Sequence, residues 1–193
     1  MEQALNAIAA TSVVGVLLGH GVSNMSGFTF EGYSFSPSVL SLMAYEIRDG
    51  RMGVTYSSKM GTKAIYNSTE NNLYVGFLNT SSESRRALVV HEVTHAVCDF
   101  QAKKMDVAQS ESIAYIAQCL YARANSTSND PDARLYSDDE AKDKVFEIGW
   151  RIAGKIIDGG AVDSGDCVDM RAAVKGHPYY ASNASSSAGY DGY

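Results

Sequence analysis

The chain has 193 residues, 45% of them hydrophobic, and a formal net charge of -6. This length suits one domain with a sizeable core and argues against two. The acidic balance argues against nucleic acid, whose phosphates reward clustered Lys and Arg, and the pairs Arg85-Arg86 and Lys103-Lys104 read as solvated helix faces.

Residues 4–19, ALNAIAATSVVGVLLG, form the one long apolar run. It falls short of the roughly 20 residues a membrane span needs, and Asn6, Thr11 and Ser12 interrupt it. A secretory signal would open with positive charge, whereas the early charge here is Glu2. The expectation is a buried N-terminal helix, no membrane span, and a protein that is cytoplasmic or exported without a cleaved signal peptide. Cys98, Cys119 and Cys167 are odd in number and widely spaced, which points to a reducing compartment and not to a disulfide framework.

His20 sits between glycines as a turn residue, and residues 24–36 read as an irregular segment whose Phe28, Phe30, Tyr33 and Phe35 cover the core. Ser36-Pro37 opens a helix that Gly50 closes, with Leu40, Met43, Ala44 and Ile47 as its buried stripe. Three β-patterned stretches follow at 52–56, 63–66 and 72–77, most simply as an antiparallel meander. Thr80 and Glu83 form a capping box at the start of a helix reaching about residue 103, and a second helix covers 107–124. Residues 124–136 read as an exposed loop. Ser137 and Glu140 form another capping box, opening a helix to about 157 in which Val145, Ile148, Trp150, Ile152 and Ile156 seek the core. A last helix covers 166–174. The segment 181–193 is too polar to fold alone, so the expectation is a single domain over 1–180 and a flexible tail.

The chemistry concentrates in Leu88-Val89-Val90-His91-Glu92-Val93-Thr94-His95-Ala96-Val97. In a helix, positions i and i+4 share a face, so His91 and His95 can aim two imidazole nitrogens at one point, half of a zinc site. Glu92 is offset by about 100° of helix rotation. That places it aside from the ligands but within reach of a metal-held water, as a general base. A ligand pair on an apolar helix is costly unless something binds the imidazoles.

His91-Glu92-x-x-His95 resembles the signature of the zincin metallopeptidases, and the resemblance covers roughly residues 63–122. The metzincin branch would put Gly at 98 and His at 101, where this chain has Cys98 and Gln101. The gluzincin pattern takes its third ligand from a Glu on a following helix, which here implies Glu111, the acidic residue in an otherwise uncharged run over 110–117. Thermolysin itself has Asp four residues further on, where this chain has Tyr115, so the likeness is to a looser, gluzincin-like class. Asp106 competes as a third ligand. Asp99, which continues the i, i+4, i+8 line, competes more weakly and fits a supporting role behind the ligands. Peptide deformylase shares the motif but takes a cysteine upstream of it, and all three cysteines here lie downstream.

The resemblance implies an α+β fold, mainly helical, with a small antiparallel sheet preceding the metal-binding helix. It also implies one catalytic zinc ion and a peptide or protein substrate held along a sheet edge. Residues 73–77 are the candidate for that strand, with an ordinary central strand as the equal alternative. Tyr115, His177, Tyr179 and Tyr180 are candidates for steadying an oxyanion. The alternative from a different class is a catalytically inactive zincin-like interaction module with a structural metal or none.

Overall fold

The computed structural model describes residues 1–126 and 140–192. Helix α1 (Glu2–Leu17) opens the chain, and a single turn, α2 (His20–Ser23), follows a break at Gly19. Ala9, Val13, Val16 and Leu17 lie at helical spacing and form the buried face of α1. Ile8 and Leu18 are exposed on the other side, so the expected buried helix is buried on one face. Together α1 and α2 make Glu2–Ser23, a stretch long and apolar enough, by length and composition, to cross a membrane. That is longer than the run counted in the sequence, because α2 extends it.

Residues 24–36 are not irregular. They hold an antiparallel hairpin, β1 (Phe28–Phe30) and β2 (Tyr33–Phe35). The four aromatic rings point inward and Thr29 and Ser34 outward, which is the period-two signature of a half-buried strand. Glu31 and Gly32 make the turn with φ of 46° and 81°, the pair of positive values a type I′ connection needs. Helix α3 (Pro37–Arg48) follows, with the expected stripe of Leu40, Met43, Ala44 and Ile47 buried.

The next three strands are β3 (Gly53–Tyr56), β4 (Ala64–Asn67) and β5 (Asn72–Val75), in the order β3-β5-β4. β3 runs parallel to β5 and β4 antiparallel to it, so this sheet is mixed and the expected meander does not form. The reason lies in the connections. After β3 the chain passes the end of β5, where the Gly76 N–H donates to Lys63 O at 2.9 Å. A Cβ on Gly76 would meet the Gly61 carbonyl oxygen at 2.2 Å, so the crossing needs glycine there. Asn71, at φ 45°, then closes the short loop from β4 back into β5. With Leu73 and Val75 fully buried, β5 takes the centre.

Among the described residues, four helices follow: α4 (Glu83–Phe100), α5 (Val107–Asn125), α6 (Glu140–Ile157) and α7 (Ser164–Gly176). The capping box expected at Thr80 does not form. Ser82 is the N-cap, its hydroxyl accepting from the Arg85 N–H at 3.3 Å, while the Thr80 hydroxyl donates to Ser12 O. The capping box expected at Ser137 and nearly all of the 124–136 loop lie outside the described residues. α6 buries Val145, Ile148, Ile152 and Ile156 with Trp150 half-covered, as its spacing predicts. α7 starts two residues earlier than expected because Asp163 and Asp166 cap each other's backbone amides at 3.0 and 3.1 Å.

The flexible tail expected from residue 181 is instead docked, up to residue 192. Ser186 O and Ala184 O accept from the Val107 and Ala108 N–H groups at 2.9 and 2.8 Å, and the Ala188 N–H donates to Met105 O at 3.0 Å. The first amides of α5 have no partner within their own helix, and the tail supplies it. Composition shows the tail as too polar to fold by itself but cannot show that a helix end is waiting for it. The architecture is α+β, with a two-stranded antiparallel and a three-stranded mixed sheet ahead of four long helices.

The backbone crossing gives a paired expectation. Gly76→Ala, which forces Cβ onto backbone, lowers unfolding free energy by about 1–3 kcal/mol. Gly15→Ala, where a Cβ meets nothing within 4 Å, raises it by about 0.5–1 kcal/mol. Urea unfolding of both variants checks the pair, and equal effects would show the crossing to be loose.

Candidate metal centre

From Val89 to Asp99 every residue of α4 is buried, polar ones included. A helix buried all round packs against neighbours on each side, and α3, β4 and α5 surround this one. α5 returns against α4 in the opposite direction, with Ser110 beside His95 and Tyr115 beside His91. That hairpin carries the Glu111 carboxylate to the two imidazoles.

The three side chains named from the sequence converge. His91 Nε2 and His95 Nε2 are 3.3 Å apart, His91 Nε2 is 3.3 Å from Glu111 Oε2, and His95 Nε2 is 3.5 Å from Glu111 Oε1. The two carboxylate contacts end on different oxygens of Glu111, and one donor atom from each of the three residues lies within 4.8 Å of the other two, close enough to share one cation. His91 Nε2 apart, the buried Glu111 Oε2 has no hydrogen-bond partner among the described residues. Buried polar atoms are nearly always paired. His91, His95 and Glu111 could therefore hold a metal ion, and they form the group of that kind found among the described residues.

The competing ligands have other partners. Asp106 is the N-cap of α5, accepting from the Gln109 N–H at 2.8 Å, and its second oxygen pairs with Arg171 at 2.5 Å. Asp99 does not support the imidazoles as expected. Its Oδ2 accepts from the Tyr66 hydroxyl at 2.7 Å and its Oδ1 from the Asp191 and Gly192 N–H groups at 3.1 and 3.3 Å. One further turn of α4 carries it past the two imidazoles toward the tail. Cys98 and Cys119 are buried away from the cluster, as free thiols whose pKa burial pushes up, to about 12 for Cys98.

The residues that do support His95 were invisible in the sequence. Its Nδ1 lies 2.9 Å from Ser110 Oγ and 2.9 Å from the Tyr190 hydroxyl. Nothing near Tyr190 in the chain signals that role, and Ser110 offered only its place beside Glu111. Glu92 lies beside the cluster, its Oε2 accepting from the Tyr66 N–H at 2.9 Å. Burial raises the Glu92 pKa above the ordinary carboxylate value, against the opposing pull of the histidines and that amide. Burial likewise opposes ionisation of Glu111, but His95 and His91 outweigh it and hold the carboxyl below its usual range. Burial pulls His95 down, and the Glu111 and Glu92 carboxylates outweigh it, so the ring keeps its proton above the ordinary 6.5.

The cluster opens onto a cavity of about 610 Å³ lined by β4, α4, α5, α6 and the C-terminal segment. The strand beside it is β4 and not the 73–77 segment, because β5 is central and its two flanks are covered. In an antiparallel pair, alternate residues turn their N–H and C=O groups away from the partner strand. Tyr66 N–H points toward Glu92, so Ala64, two residues earlier, faces the same open edge. All four oxyanion candidates line the cavity. Tyr115 stacks edge-on against His91 at 4.6 Å and its hydroxyl lies 3.3 Å from that of Tyr180, while Tyr179 is largely exposed. His177 has its Nδ1 accepting from the Tyr179 N–H at 3.2 Å.

One divalent ion per chain is the expected stoichiometry in equilibrium dialysis, and His95→Ala or Glu111→Ala should weaken it by more than about 100-fold. Ligand imidazoles must be deprotonated, so affinity should fall as pH drops through the raised His95 value. Flat affinity from pH 8 down to about 5 would contradict the cluster's role, given the ordinary His range. Comparison with family models, with curated proteins and with solved structures finds no match to this chain.

Proposed function

We propose that the protein is a zinc-dependent hydrolase, a gluzincin-like metallopeptidase acting on peptide bonds. The observation that carries this reading is the arrangement of four side chains. Three donor side chains converge closely enough to share one cation, and the Glu92 carboxylate is held next to them at the same cavity. Zinc is favoured over magnesium or calcium because two of the three donors are imidazole nitrogens, which hard cations avoid. When bound, the ion would lower the pKa of water to about 7 and polarise a carbonyl.

Glu92 takes the proton. Its Oε2 is fixed by the Tyr66 amide, which leaves Oε1 free to accept a proton from an attacking water and hand it to the leaving amine. The raised pKa suits this, since a general base works best when its pKa approaches the working pH. A purely structural site has no use for a base in that position.

The remaining parts assign themselves by reach and chemistry. Burial keeps the Tyr180 hydroxyl protonated, with Glu111 adding to the effect. It can therefore donate to a developing oxyanion, with Tyr115 behind it. The open edge of β4 can hold an extended peptide through backbone hydrogen bonds at Ala64 and Tyr66.

Glu92→Gln keeps the shape and one acceptor but cannot take the proton. Zinc binding should persist while kcat on a cleaved peptide drops by about 10²–10⁴-fold. A peptide-library screen read by mass spectrometry, with zinc content measured on the same samples, checks both. Full turnover in the variant would rule the mechanism out, and stoichiometric zinc with no cleavage of any peptide would leave an interaction module.

A further inference from the structure

We propose that the C-terminal segment is a working part of the metal centre, with the Tyr190 hydroxyl fixing the orientation and tautomer of His95 as a positioning residue. This deepens, and rests on, the metal-site reading above.

The two histidines are supported unequally. His91 Nδ1 has no hydrogen-bond partner among the described residues, and the ring leans on Tyr115. His95 Nδ1 meets two hydroxyls at 2.9 Å, Ser110 Oγ and Tyr190 Oη, which are themselves 2.6 Å apart. A histidine that offers Nε2 to a cation must carry its ring proton on Nδ1, and the group that accepts that proton decides the tautomer. A hydroxyl can donate and accept at once. The closed triangle is satisfied when Nδ1–H donates to one hydroxyl and the two hydroxyls bond to each other. Ser110 comes from the same helix as Glu111, but Tyr190 comes from 95 residues away.

The segment is tied down on both sides of Tyr190. Ahead of it, two backbone bonds join residues 184–188 to the start of α5 and a third joins them to Met105 just before it. After it, the Asp191 and Gly192 amides donate to Asp99, one turn of α4 beyond His95. Asp99 also takes the Tyr66 hydroxyl, whose backbone amide holds Glu92. The tail, the ligand helix and the edge strand therefore share one buried carboxylate. Whatever orders the tail also aims His95, and by thermodynamic linkage whatever fixes His95 steadies the tail.

Two measurements on the full chain test this. In a competition titration against a chromogenic zinc chelator, Tyr190→Phe, which keeps the ring and removes the hydroxyl, should weaken zinc binding about tenfold. Adding Ser110→Ala should extend the loss to about a hundredfold. In the unaltered chain, zinc should slow amide hydrogen exchange over residues 184–192 by more than over the rest of the fold, since a merely packed tail would share only the general stabilisation that any bound ion gives. Unchanged affinity in Tyr190→Phe, or tail exchange indifferent to zinc, would overturn the proposal. If the variant does not fold, the exchange measurement decides alone. A parent chain that takes up no zinc sinks the metal reading and this inference together, whereas zinc uptake insensitive to Tyr190 sinks only the inference.

Discussion

Two imidazole nitrogens and a carboxylate held within 3.3–3.5 Å of one another inside a protein repel or strand one another unless a proton or a cation sits among them. The packing of α4 against α5 imposes that proximity, and much of the fold serves to keep it. α4 is buried all round from Val89 to Asp99, so its histidines face only the cavity beside them. α5 runs back along it and is held at its first turn by Asp106, by Arg171 through Asp106, and by the tail. Because protein interiors are close-packed and resist local relaxation, the cluster is presented at fixed spacing.

Around it lies a polar framework that is economical in residues. Asp99 receives the Tyr66 hydroxyl and two tail amides, Tyr66 passes its backbone amide to Glu92, and Tyr190 reaches His95. A fully buried carboxylate is costly unless its lone pairs are used, and three donors use those of Asp99. Under the hydrolase reading, the same framework sets the base, one ligand and the strand edge relative to one another. None of these groups could shift without disturbing the others, which is how a site of this size holds its geometry.

The cavity side is less regular. β4 offers open backbone groups next to Glu92, while Tyr115, Tyr180 and the C-terminal turn form the facing wall. Tyr115 stacks on the His91 ring and touches Tyr180. It does by ring packing what His95 receives from hydroxyls. The two imidazoles of one helix therefore have different surroundings.

The helical core of the site was legible from local signals. The i, i+4 pair of His91 and His95, the lone acidic residue on the next helix, and the short connection between them follow from helix periodicity and chain length, and the three side chains do meet. The stripes of α3 and α6 follow from the same periodicity. The β1–β2 hairpin was written in Phe28-Thr29-Phe30 and Tyr33-Ser34-Phe35 but hidden by strands of three residues, too short for alternation to stand out. Strand order could not be read at all. Whether β4 or β5 becomes the edge depends on how the chain crosses at Gly76, a contact between two backbones and not a property of either strand. The partners of Asp99 and His95 were equally beyond reach, because Tyr190 lies 95 residues from the imidazole it touches, in a segment whose composition suggests no structure. Sequence alone determined which atoms could bind a cation, since that depends on residue type and helical spacing. Tertiary structure decided what holds those atoms in place, since that depends on which distant segments pack side by side.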